Sequence, residues 1–141
     1  MEQSNHQSKL LMLELPHADH LEIKFLSEGN GKSHAQLLIK PFHLNRQKVL
    51  SGGVMYSMAD VGMGSAVYSL LKKEELCATV EIKISYLNYV KQGIVDCYST
   101  VLKKGKRMVF FESEIYQGEK LLAKATGCYM IFIPKKKNKN N

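Results

Sequence analysis

Apolar positions change their period along this chain. Between residues 52 and 72, Val54, Met55, Met58, Val61, Ala66, Val67, Leu70 and Leu71 recur at helical spacing with no proline among them. That pattern predicts one long helix of roughly 20 residues, about 30 Å from end to end. Downstream, segments 79–90, 94–103, 107–117 and 121–133 are rich in β-branched and aromatic residues and predict four strands. KKGK at 103–106 and QGEK at 117–120 sit between them as hairpin turns. Upstream, 21–26 and 34–40 predict two more strands around the turn cluster 28–33, and 41–50 an irregular connection. A short helix over 9–15, stopped by Pro16, precedes them. Hairpin-joined strands are antiparallel. The order therefore predicts an α+β two-layer domain, one central helix against an antiparallel sheet of about five to six strands.

The predicted helix is rich in small residues, with Gly62 and Gly64 in its interior. An interior glycine costs a helix roughly 1 kcal/mol against alanine. Two of them imply that another backbone comes close, as a sheet wrapped on the helix would.

Composition narrows the class. The chain has 141 residues, 45% hydrophobic and 23% charged, which suits one globular domain with its own core. We expect a disordered stretch over 1–8, a single domain over 9–134 and a basic disordered tail over 135–141. The tail, KKKNKNN, holds four lysines, so the net charge of +7 falls to 7 − 4 = +3 without it. A basic tail lacking aromatics reads as a solvated terminus, which makes nucleic acid a remote partner. Cys77, Cys97 and Cys128 are odd in number and widely spaced, which argues against a disulfide framework or a CxxC site. No apolar run approaches the ~18 residues of a membrane span, and the first residues lack a signal-peptide core. We expect a cytoplasmic protein with reduced thiols, no membrane span and no cofactor.

Two apparent motifs fail. Gly31-Lys32-Ser33 looks like the end of a phosphate-binding loop, but Leu26 stands where a glycine is required, and a strand follows. His17 and His20 flank Asp19 without a third ligand nearby, and read as a surface loop rather than a metal site. The informative stretch is 45–60, NRQKVLSGGVMYSMAD. Gly52-Gly53 opens the helix, where backbone amides lack intrahelical partners and can stabilise a developing negative charge. The alternative is a tight turn capped by Ser51, whose hydroxyl would accept from the amide of Gly53 or Val54. Asp60 stands mid-helix among Met58, Ala59 and Val61; it is either a functional carboxylate or a solvent-facing one. Eight residues separate Gly52 from Asp60, about 12 Å of helix. One chain cannot bring both to one carbonyl, so a site using both belongs to a dimer with antiparallel helices.

These residues resemble the hotdog-fold acyl-CoA thioesterases of the phenylacetate-pathway (PaaI-like) branch. That family's pattern is Asn, five residues, His-Gly-Gly, six residues, Asp. Asn45, Ser51-Gly52-Gly53 and Asp60 fall on it, and the strand TVEIKISYLNYV and the KGKR turn are also similar. The resemblance covers roughly residues 9–133. It implies hydrolysis of an aryl- or fatty acyl-CoA, with no metal and no cofactor beyond the CoA of the substrate, in a homodimer or homotetramer. By position it implies Asp60 as general base or nucleophile and Gly52 as amide donor to the thioester carbonyl. Asn45 would assist at the oxyanion or orient water, and Thr79 would help hold that water. Ser51 and Gly53 would border the substrate, and Lys104, Lys106 and Arg107 would meet CoA phosphates. Ser51 departs from the family's histidine. That departure favours, as the alternative, a non-catalytic acyl-CoA-binding or regulatory hotdog protein; a hydratase lacks its Asp/His dyad here.

Overall fold

The computed structural model describes residues 14–135. The expected loose segment 1–8, residues 9–13 of the expected first helix and the tail beyond Lys135 lie outside that range. Helix α1, Pro16–His20, opens the described chain, and strands β1 (Lys24–Gly29) and β2 (Lys32–Leu38) follow. A 3-10 turn, Pro41–His43, leads into the long helix α2, Gly52–Tyr68. Strands β3 (Leu76–Tyr86), β4 (Ile94–Lys104), β5 (Met108–Gln117) and β6 (Lys120–Phe132) complete it. The strands form one antiparallel sheet in the order β1-β2-β4-β5-β6-β3. Strand β3 is thus a sheet edge although it is the first strand after the helix.

Several sequence boundaries move: α2 ends at Tyr68 and not near 72, and β3 begins at Leu76 and not at 79. Pro16 begins α1, because proline is tolerated in the first turn, where no intrahelical acceptor awaits its amide. Accordingly His17 and His20 lie on this helix and not on a loop; His17 Nε2 lies 3.0 Å from Ser57 Oγ. The first strand starts late because Leu21 and Glu22 close α1, with Glu22 at φ 59. Asn30 and Gly31 both have positive φ, 52 and 75, the signature of a two-residue hairpin turn, so β2 begins at Lys32. Strand β3 stops at Tyr86 because the chain then leaves for the core. Val90 is buried there and its carbonyl accepts the Leu50 amide at 2.8 Å.

Alternation sets the layers. Ala35 and Leu37 on β2, Val95 and Cys97 on β4, and Val109, Phe111 and Ile115 on β5 face the helix and are buried. Helix α2 answers with Val54, Met55, Met58, Ala59, Met63, Ala66 and Val67. Phe111 meets Tyr129 of β6 edge to face, 4.6 Å between ring centres. Burying a side chain such as Phe111 contributes about 1.5–3 kcal/mol. Beneath the helix runs a polar seam. Ser33 Oγ donates to the Gly62 carbonyl at 2.6 Å, and Ser99 and Ser113 hydroxyls pair at 2.6 Å.

That seam explains Gly62. A Cβ there would stand 2.6 Å from Ser99 Oγ, so the sheet approaches with side chains and not with backbone. Gly64 is different: the nearest neighbour of an added Cβ is Tyr129 Cε2 at 3.7 Å, an ordinary contact. No helix among the described residues is long and apolar enough to cross a membrane.

Candidate active site

The loop before α2 is held from below. His43 is fully buried; its Nδ1 accepts the Lys40 amide at 2.9 Å and its Nε2 donates to the Leu21 carbonyl at 2.7 Å. The His43 carbonyl takes the Ser51 amide at 2.9 Å, which fixes where the helix begins. Between these points Asn45 organises a turn. Its Oδ1 accepts from the Gln47 amide at 2.9 Å and the Val49 amide at 3.3 Å. The carbonyl end of Asn45 is therefore occupied, and its amide NH2 remains to donate outward.

Ser51 precedes the helix in an extended conformation, φ −60 and ψ 134, but its hydroxyl makes no capping bond. The expected cap to Gly53 or Val54 is absent: the Val54 amide donates to the Ser51 carbonyl at 3.0 Å instead, and the Gly53 amide is left open. The amides of Gly52 and Gly53 donate to no backbone acceptor among the described residues. Two open N–H groups at a helix start are a positive locus suited to a carbonyl oxygen gaining charge. Gly53 is exposed, whereas Gly52 lies under Tyr86, whose hydroxyl donates to the Gly52 carbonyl at 2.7 Å. A Cβ on Gly52 would meet the tip of that ring at 3.0 Å. The missing side chain thus makes room for Tyr86.

Asp60 belongs to a different cluster. Thr79 Oγ1, on β3, donates to Asp60 Oδ1 at 2.8 Å. Tyr129, on β6, donates its hydroxyl to the same Oδ1 and lies 2.5 Å from the Asp60 carbonyl oxygen. Thr79 and Tyr129 are direct cross-strand partners, so the two donors reach the carboxylate from adjacent strands. Burial, and then the bond to Asp60, hold the Tyr129 phenol well above the ordinary tyrosine range, so it stays a donor. Oδ2 of Asp60 receives neither bond. Nearby thiols do not compete as nucleophiles at neutral pH: burial pushes Cys77 up to about 11 and Cys97 up to about 12.

The structure therefore brings Asp60 and Thr79 together, and separately groups Asn45, Ser51, Gly52 and Gly53. Lys104, Lys106 and Arg107 form a third group at the exposed β4–β5 hairpin. Register links it to the group of Asp60 and Thr79: Lys104 pairs Val109, Val109 pairs Tyr129 and Tyr129 pairs Thr79. Three strand spacings, about 14 Å, separate Lys104 from Thr79 along that row. Among the described residues no three His, Cys, Asp or Glu side chains are grouped to hold a metal ion. A cavity of about 660 Å³ lies along α2 beyond Asp60, bounded by β1 and α1. Sequence reasoning missed Tyr129 and the acid on the cavity wall, Glu28. Tyr129 gave one signal, a phenol on the inward period of β6, which must find a partner when buried.

Comparison with known proteins gives the family and the fold. Residues 47–124 match the model of the thioesterase superfamily, a span holding the Gly-Gly helix start, Asp60 and Thr79. A protein of Pseudomonas aeruginosa named "Putative esterase" is 29% identical over 94 residues, 66% of this chain and 70% of that protein. A conserved P. aeruginosa protein of solved structure superposes with a TM-score of 0.83 at 31% identity, over 88% of this chain and 98% of that one. The phenylacetic acid degradation protein PaaI of Thermus thermophilus shares the fold, with a TM-score of 0.77 at 20% identity over 82% of this chain and 98% of its own. The family match over more than half of the chain and the superposition of its helix and antiparallel sheet agree: the chain belongs to the thioesterase superfamily and has its hotdog fold.

Proposed function

We propose that this protein is an acyl-CoA thioesterase that hydrolyses an aryl- or fatty acyl-CoA to the free acid and CoA, at a site shared by two copies of the chain. The observation that carries this reading is the division of labour along α2. Open donor amides stand at Gly52 and Gly53, and a carboxylate clamped by Thr79 and Tyr129 stands at Asp60, about 12 Å further on. Each half lacks what the other supplies.

In the shared site the Gly52 amide of one copy donates to the thioester carbonyl oxygen as it gains charge. Asp60 of the other copy takes a proton from an attacking water, or attacks the carbonyl carbon itself and is freed by water afterwards. Either way the C–S bond breaks, the thiolate leaves with a proton as the CoA thiol, and the acyl group leaves as the acid. The Asn45 NH2 assists at the oxyanion or orients the water. Ser51 and Gly53 border the acyl group, and Lys104, Lys106 and Arg107 attract the CoA phosphates. The edge strand β3, eleven residues with Leu76 and Val80 exposed, supports a homodimer by offering an open ladder beside the helix, and dimers can pair into a homotetramer.

The test is thiol release from short, medium, long and aromatic acyl-CoAs. Hydrolysis of at least one class that Asp60→Asn abolishes supports the reading. Binding of acyl-CoA without hydrolysis of any class would favour the non-catalytic reading, to which the idle hydroxyl of Ser51, standing where the family has histidine, lends support.

A further inference from the structure

Register gathers four strand ends at one edge of the domain: Lys104 pairs Val109, Met108 pairs Met130 and Phe132 pairs Leu76. Direct partners and alternate residues share a face of a sheet. Val109, Phe111 and Ile131 are buried toward the helix, so Phe110, Met130 and Phe132 stand on the face turned away from it. Phe110 pairs Cys128, which sets Met130 on its diagonal and Phe132 two residues beyond. A bulge between Val101 and Lys103 adds Leu102 at the level of Phe110. These four side chains, and Ile133 just past β6, are each 36–66% exposed. Single apolar residues on a surface need no explanation, but a contiguous stripe with a polar rim marks a docking surface.

The rim is cationic. Lys103 pairs Phe110 across the ladder, Lys104, Lys106 and Arg107 follow in the hairpin, and Lys135 lies two residues past Ile133. All five are exposed, and none forms an ion pair among the described residues. Lys136, Lys137 and Lys139 come next in the sequence. Acids near by do little to offset them. Glu81 lies opposite Cys128, Glu112 is paired with Lys124, and Glu74 and Glu75 follow two lysines of their own, Lys72 and Lys73.

We propose that this end of the sheet docks on an anionic lipid bilayer, with Leu102, Phe110, Met130 and Phe132 entering the boundary of headgroups and acyl chains and the cations meeting lipid phosphates. Charge and side-chain type together select the occupant. A second copy of the chain would bring the same cations against these. A nucleic acid would satisfy the cations and stack on Phe110 and Phe132, but Leu102, Met130 and Ile133 offer its bases no ring to stack on. A bilayer surface uses both sets: aliphatic and aromatic side chains bury among acyl chains, and each Lys or Arg at an anionic leaflet strengthens binding roughly fivefold. The contact is peripheral, and it lies on the face of the sheet opposite α2 and Asp60. It does not depend on the hydrolase reading.

The experiment is cosedimentation of the full chain with vesicles of phosphatidylcholine alone, and of phosphatidylcholine and phosphatidylglycerol in equal parts. The wild-type protein should bind the anionic vesicles at least about tenfold more tightly than the neutral ones, and high salt should weaken that binding. Lys103→Glu combined with Lys135→Glu should weaken it about tenfold or more. Leu102→Ser combined with Phe132→Ser should weaken it about tenfold, and a thermal melt of each variant shows that the fold is retained. Should the apolar pair unfold the chain, the charge pair and the comparison of vesicles still decide. No binding, or equal binding to the two kinds of vesicle, overturns the proposal. So does vesicle binding indifferent to the charge pair or to a folded apolar pair. A single-stranded oligonucleotide bound more tightly than the anionic vesicles would assign the surface to nucleic acid. A smaller oligomer in sedimentation velocity for the apolar pair, with vesicle binding unchanged, would assign the stripe to a second copy.

Discussion

The two halves of the proposed site share one helix and are built in opposite ways. At its start the active groups are backbone amides, positioned by the turn of the chain and left without acceptors. Eight residues later the active group is a carboxylate on a rotatable side chain, held by hydroxyls from two strands. Amides aimed by helix geometry need little from adjacent side chains, so Ser51 can stand idle and the donors survive. A carboxylate has to be fixed by partners, and they come from far along the chain: Thr79 is 19 residues away and Tyr129 is 69. One half is local and tolerant; the other is non-local and exacting.

The carboxylate half should break hardest. Asp60→Asn keeps the size and removes the charge, so turnover should fall about 10²–10⁴-fold in a steady-state assay. Unchanged turnover would remove Asp60 from the chemistry. The amide half should break next. Gly52→Pro deletes the N–H at a position where proline suits a helix start, and the loss of one oxyanion donor costs about 10²–10³-fold. Tyr86 must swing aside, which its half-exposed ring can do. Mixing the two inactive variants then sharpens the contrast. Heterodimers hold one intact pairing of halves, so random exchange should restore about a quarter of wild-type turnover. Subunit exchange without recovery would place both halves within one chain.

Smaller effects grade the two halves. Tyr129→Phe removes one of the two clamps and should lower turnover about tenfold, with a loss near 1 kcal/mol in denaturant unfolding. A rate equal to that of the wild-type protein would make Tyr129 a packing residue only. Ser51→Ala should shift stability by less than about 0.5 kcal/mol, because no capping bond is lost. A drop of about 1 kcal/mol would restore the capping role that the structure denies.

The same contrast explains what the sequence made legible. The Gly-Gly start of α2, the hairpins after it and the α+β layering follow from period, turn residues and propensity, all of them local. The order of the sheet, with β3 at an edge, does not, because strand pairing joins distant segments. Ser51 misled because a serine before a helix usually caps it, and only the bond from the Val54 amide to the Ser51 carbonyl shows that one of the two candidate amides is already taken. The seam of Ser33, Ser99 and Ser113 was equally hidden, since each serine alone reads as a surface residue. Tyr129 and Glu28 take their meaning from partners on α2, 69 and 37 residues away.

Gly62 and Gly64 are neighbours on one helix, yet natural selection meets them differently. At Gly62 any side chain collides with Ser99, so folding itself excludes variation. At Gly64 folding would welcome alanine: helix propensity improves by roughly 1 kcal/mol and the nearest atom is at contact distance. The extra methyl would, however, enter the cavity between α2 and β1. A lineage pressed toward heat resistance would gain alanine here and narrow that cavity. One pressed to keep the cavity open would keep the glycine and live with a looser helix.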